Sequence, residues 1–274
     1  MSKIKSEKTS NRRRIPTRSQ VDRKVSNAVS RVLPAAYASV TGVTDQCTVL
    51  TFDDGPTPGV TEKLLEVLDE FSVTASFFML TGRAIRSPAM VTSVVSSGHH
   101  IALHGPDHRY NPGFGFRDSL KRLEAAKAQL EDLSQTAIEY YRPPYGAQSP
   151  SNLRAVAHLG MRSVLWGPSF MDWVDVPNEE RLASSASRAP RGQGDIVLAH
   201  DGFACEADGV DDGPEPDVDR PALLGDFLAR CVADDRQAMS LRDALDTGHK
   251  LILTPRLTTI GRVWGMSKVP IKSV

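Results

Sequence analysis

His104 and His108 stand four residues apart with Gly105 and Pro106 between them. Proline in that interval excludes a regular helix, so a turn must aim the two imidazoles. Two neutral imidazoles and one carboxylate suit a borderline divalent ion, Zn²⁺ above all, and either Asp53 or Asp54 can supply the third ligand. Three protein ligands leave a position for water, which marks a catalytic rather than a structural centre. Two adjacent carboxylates leave one turn in different directions, so one can hold metal while its neighbour serves as a base. Taken singly, each residue also fits an ordinary reading: an aspartate-capped turn ahead of Pro56, or a histidine satisfied by hydrogen bonds. Taken together, with Arg142 and Tyr145, Asp172 and Trp173, and His200 and Asp201 further along, they are hard to read as surface decoration.

What positions them is an alternation of strand and helix. The β-branched run 47–52 ends at Asp53, and residues 60–71 place Leu64, Leu65, Val67, Leu68 and Phe71 at helical spacing. Strands are expected at 72–79, 99–103, 138–141, 162–166 and 195–199. Helices are expected at 90–96, 116–133, 151–159, 178–187 and 221–233, with 116–133 the clearest amphipathic stretch. Strands separated by helices pair in parallel, which predicts an α/β sheet or barrel. The polar residues follow successive strands, and in a parallel barrel those strand ends share one face.

Composition bounds the rest. With 40% hydrophobic and 24% charged residues, the 274-residue chain is neither disordered nor fibrous and has enough length for a large core. Its 33 basic and 33 acidic residues exclude a globally basic nucleic-acid binder. No apolar run reaches membrane-spanning length. Cys47, Cys205 and Cys231 show no metal-binding spacing and read as three reduced thiols. Residues 1–31 carry ten basic side chains against Glu7 and Asp22, and read as a solvated, disordered arm without the apolar segment of an export signal. A cytoplasmic location is therefore expected. Seven carboxylates between Glu206 and Asp219 predict an exposed loop, because so many cannot be buried together.

In order along the chain, TFDDGP (51–56), HGPDH (104–108), RPPY (142–145), DW (172–173) and LAH (198–200) resemble the five motifs of the polysaccharide deacetylases, carbohydrate esterase family 4. The resemblance runs from about residue 47 to about residue 245 and is specific as a set. It implies a distorted (β/α) barrel of about seven strands. With it go a basic arm at 1–40, a catalytic domain at 41–246 and a C-terminal extension at 247–274. It implies hydrolytic removal of an N-acetyl, or an O-acetyl, group from an N-acetylated oligo- or polysaccharide or sugar conjugate. By the same resemblance Asp54, His104 and His108 form the metal triad, for Zn²⁺ or else Co²⁺, Ni²⁺, Fe²⁺ or Mn²⁺. Asp53 is the general base and Arg142 the cation that holds it. The Tyr145 backbone N–H serves the oxyanion, His200 is the general acid, and Asp172 fixes and charges that histidine. Trp173 and Leu198 wall the acetyl pocket. No specific nucleic acid and no membrane span is expected.

The chain departs from the family pattern at Gly105, Arg109 and Ser169, where a hydroxyl residue, proline and a second acid are usual. These changes spare the acid–base and metal positions and bear on the substrate. His99 and His100 read as polar residues at a strand start. Two rival readings are a metal-free hydrolase of a cyclic imide, ureide or other non-sugar amide, and a non-catalytic barrel used for binding.

Overall fold

The computed structural model describes residues 38–44, 47–186 and 193–255. The basic stretch 1–31 lies outside the described residues, as does everything after Pro255. Among the described residues nine strands and eight α-helices follow one another. They are β1 (Ala38–Thr44), β2 (Cys47–Asp53), α1 (Thr61–Glu70), β3 (Ser76–Leu80), α2 (Thr81–Arg86) and α3 (Pro88–Ser96). Next come β4 (His100–Gly105), α4 (Phe116–Ser134), β5 (Tyr140–Tyr141), α5 (Pro150–His158), β6 (Arg162–Ser163) and α6 (Asn178–Ser185). The series ends with β7 (Gln193–His200), α7 (Arg220–Ala233), β8 (Gln237–Met239), α8 (Leu241–Asp246) and β9 (Leu251–Pro255).

The sheet runs β6-β5-β4-β3-β2-β7-β1-β9, with β8 on β2. The strands from β2 to β8 pair in parallel, as interleaved helices require. The sheet curls into a distorted barrel, closed where the chain after β6 returns to β7. Gly167 N–H donates to Ile196 O, Phe170 N–H donates to Leu198 O, and Ser169 bridges Leu198. β1 adds antiparallel to β7, also touches Val164, and carries β9 on its outer side. The expected boundary at 40/41 therefore falls inside β1, and the first residues of the C-terminal stretch form its partner strand.

Strand alternation decides what each residue faces. Leu50 and Phe52 of β2, Phe77 and Met79 of β3, and Ile101 and Leu103 of β4 point outward into a core shared with the helices. Leu64 and Leu68 of α1, Val91 and Val94 of α3, Leu123 and Leu130 of α4, and Leu224 and Leu228 of α7 complete it. Val49, Phe78, Ala102, Tyr140 and Ile196 point the other way and fill the barrel. Further along β2, β4 and β7, and just past β5, the inward positions become polar: Thr51 and then Asp53 on β2, His104 on β4, His200 beyond Leu198 on β7, and Arg142 after β5.

The strand expected at 72–79 begins only at Ser76, because Ser72 has φ +54° and closes a turn on α1 by donating to Asp69 O. The short α2 is not legible from periodicity. No helix among the described residues is long and apolar enough to cross a membrane. Among the described residues Cys47, Cys205 and Cys231 form no disulfide.

Candidate active site

Asp54 leaves the end of β2 with φ +74°, a left-handed turn that sends its side chain away from that of Asp53. Its Oδ1 lies 3.3 Å from Nε2 of both His104 and His108. The three ligand atoms lie within 4.8 Å of one another, and all three side chains are buried. His104 Nδ1 is 2.8 Å from the Arg142 carbonyl, which can only accept, so Nδ1 carries the proton and the Nε2 lone pair faces Asp54. Asp54 Oδ1 is buried without a hydrogen-bond partner among the described residues. Burial alone would raise the Asp54 pKa, but the two imidazoles hold it below the usual carboxylate range. Burial likewise opposes charge on His108, yet Asp54 and Asp212 on either side of the ring push its pKa up. An orphaned carboxylate oxygen between two imidazole nitrogens in an anionic surround fits a borderline divalent cation.

Gly105 has φ +134°, and a Cβ there would stand 3.0 Å from the Asp107 carbonyl oxygen. The turn between the two histidines thus needs glycine in this chain, which accounts for the missing hydroxyl residue.

Asp53 is held by Arg142, whose Nη1 donates to its Oδ1 at 2.7 Å and to Thr51 Oγ1 at 2.9 Å. Arg142 is 0% exposed, with its guanidinium 4.1 Å over the Phe78 ring and 5.6 Å from that of Trp166. Burial lowers its pKa, and the ion pair with Asp53 offsets part of that cost. Thr51 was not expected to matter. Its hydroxyl donates to Val197 O at 2.7 Å, which leaves the oxygen lone pairs to accept from the arginine.

His200, register partner of Asp53 on the neighbouring strand, is gripped twice by Asp172. Its Nδ1 lies 2.7 Å from Oδ1, and its backbone N–H donates to Oδ2 at 2.8 Å. Burial disfavours the imidazolium, but Asp172, with Asp54 and Asp53 behind it, wins and raises the pKa to about 9. Trp173 packs edge-on at 5.1 Å against His200, and the buried Leu198 points inward one step before it on β7. Tyr145, at φ +59°, stacks edge-on at 4.4 Å against His108. All ten expected site residues therefore gather at the C-terminal mouth of the barrel.

Three features were not foreseen. Asp201, next to His200, is buried under the β2 turn. Its carboxylate takes the space a Gly55 side chain would need and accepts from Thr61 Oγ1 at 2.8 Å. Burial there pushes its pKa up to about 7. The acidic loop is not uniformly exposed: Asp208 is only 3% exposed, paired with Arg83 and Arg86 from α2. A guanidinium pair makes that carboxylate buriable, and composition alone does not reveal it. The neighbouring Asp212 reaches Tyr145 and His108. His99 and His100 behave as expected: His99 Nδ1 accepts from Ala75 N–H, His100 Nδ1 bonds Ser76 Oγ, and burial lowers both to about 4.

Comparison with known proteins agrees with the motifs. Residues 41–164 match the polysaccharide deacetylase family model. A chitooligosaccharide deacetylase of Sinorhizobium fredii is 34% identical over 154 residues, 56% of this chain and 71% of that protein. A peptidoglycan-N-acetylglucosamine deacetylase of Bacillus cereus is 30% identical over 155 residues, again 56% of this chain and 71% of that protein. The solved structure of a peptidoglycan N-acetylglucosamine deacetylase superposes with a TM-score of 0.63 at 21% identity, covering 76% of this chain and 92% of that one. That last likeness speaks to the fold.

Proposed function

The chain belongs to the polysaccharide deacetylase family and is a hydrolase of carbon–nitrogen bonds. From that premise we propose that it removes the acetyl group from an N-acetylglucosamine-containing glycan, with a cation-assisted water as nucleophile. The observation that carries this is the buried Asp54–His104–His108 cluster, with an ion-paired carboxylate and a histidine held by a carboxylate on adjoining strands.

A divalent cation held by Asp54, His104 and His108, Zn²⁺ in the first place, would polarise the acetyl carbonyl and make water acidic enough to react near neutral pH. Asp53, fixed through Arg142, accepts the proton of the attacking water. The Tyr145 backbone N–H, presented by its left-handed turn, donates to the oxygen as it gains charge. His200, kept protonated by Asp172, donates to the departing nitrogen, so that the sugar leaves as a free amine. Trp173 and Leu198 bound the space beside His200 and favour a small acyl group.

The test is acetate release from N-acetylglucosamine oligomers and peptidoglycan fragments by zinc-loaded protein. Asp53→Ala and His200→Ala should each cost about 10²–10⁴-fold in kcat/KM. Asp53→Ala also leaves Arg142 buried without its partner and should lower Tm, so kcat/KM is compared at a temperature where circular dichroism shows each variant folded. Full activity in either variant removes the assigned role. Activity that survives exhaustive chelation favours the metal-free hydrolase instead.

A further inference from the structure

His108 presents Nε2 to Asp54, so its other nitrogen, Nδ1, must find an acceptor elsewhere. Nδ1 is buried and has no hydrogen-bond partner among the described residues. The carboxylate beside it is Asp212, whose Oδ2 is 3.6 Å away. Asp212 is not free to drift: Tyr145 Oη donates to its two oxygens at 2.9 and 2.8 Å. The loop that carries it is tied down at its other end. Asp208 is locked to Arg83, its carbonyl accepts from the His108 backbone N–H at 2.9 Å, and Arg83 also donates to Phe203 O at 2.7 Å. The acidic loop is thus strapped across the metal centre, with one carboxylate set between a metal-binding imidazole and the Tyr145 phenol.

We infer that Asp212 is a positioning residue for the metal centre. It receives the Nδ1 proton of His108 and so fixes which nitrogen faces the cation. Through the Tyr145 phenol it also couples that ligand to the residue whose backbone serves the oxyanion. The inference rests on the metal centre proposed above. Closing 3.6 Å to hydrogen-bond length needs only a small ring rotation, which engagement of Nε2 by a cation rewards. Asp211, the adjacent acid, shares the loop and its charge, and is exposed.

Zinc affinity of the full chain, measured by competition with a chromogenic chelator, is the readout, with thermal unfolding of the metal-free protein as the check on folding. Asp212→Ala should weaken zinc binding by about tenfold to a hundredfold. Asp212→Asn, which keeps an acceptor oxygen, should recover part of that loss. Asp211→Asn, which removes the same charge without touching His108, should leave the affinity unchanged. An Asp212→Ala protein that binds zinc as tightly as the parent overturns the role, as does an Asp211→Asn protein that loses as much. A parent protein that takes up no zinc overturns the metal centre itself, and this role with it.

Discussion

At the scale of single residues, this site runs on paired charges set at strand ends. Arg142 and Asp53 are both buried, and neither would be tolerable there alone. Asp172 similarly determines what His200 can do. A histidine raised to about 9 is protonated at neutral pH and can donate; as pH rises through that value the proton is lost and activity should fall. Asp172→Asn removes the largest influence raising it, so burial should then dominate. The alkaline limb of the kcat/KM profile should move down by about one to three units, with lower activity throughout. A limb that stays in place would mean that His200 is not the donor. The positions proposed for metal, base and acid were singled out in the sequence: residue types and spacing marked the cluster, and the family resemblance divided the roles between Asp53 and Asp54. Thr51 was not, and Asp201 was singled out only by its place beside His200, because neither a threonine in a strand nor an aspartate after a histidine carries a local sign of its partners.

At the scale of elements, the turns matter as much as the strands. Strands β2, β4 and β7, and the residue just past β5, deliver Asp53, His104, His200 and Arg142 to the mouth, and the turns that follow set the angles of Asp54, His108 and Tyr145. Gly105 carries the sharpest demand, with φ +134° between the two histidines. Gly105→Ala should cost about 1–3 kcal/mol in urea unfolding and weaken zinc binding as His108 moves. An alanine variant with parental stability and affinity would show that the turn relaxes freely. Helices α1, α4 and α7 were readable from their apolar spacing. The strands β1 and β8 were not read from the sequence, and of β9 only the strand-like stretch 251–253 was. Their pairing partners lie far away in the chain, and short strands gain stability only from such partners.

At the scale of the molecule, the candidate metal site ties β2 to β4, and through Arg142 and His200 the mouth also draws in β5 and β7. A cation bound there should stabilise the folded chain as a whole. At a hundred times its dissociation constant zinc should add about 2.7 kcal/mol, raising Tm by several degrees, and a chelator should reverse the shift. A Tm indifferent to both would exclude a cation held by Asp54, His104 and His108. The sequence alone determined the family, the parallel α/β class and the ten residues at the barrel mouth, because motif spacing and hydrophobic period are local properties of the chain. Only the tertiary structure decided that the acidic loop folds back over His108, that Asp208 is buried against Arg83, and that β9 closes onto β1. Those outcomes depend on which distant groups meet, and a buried charge or an edge strand is stable only once its partner is in place.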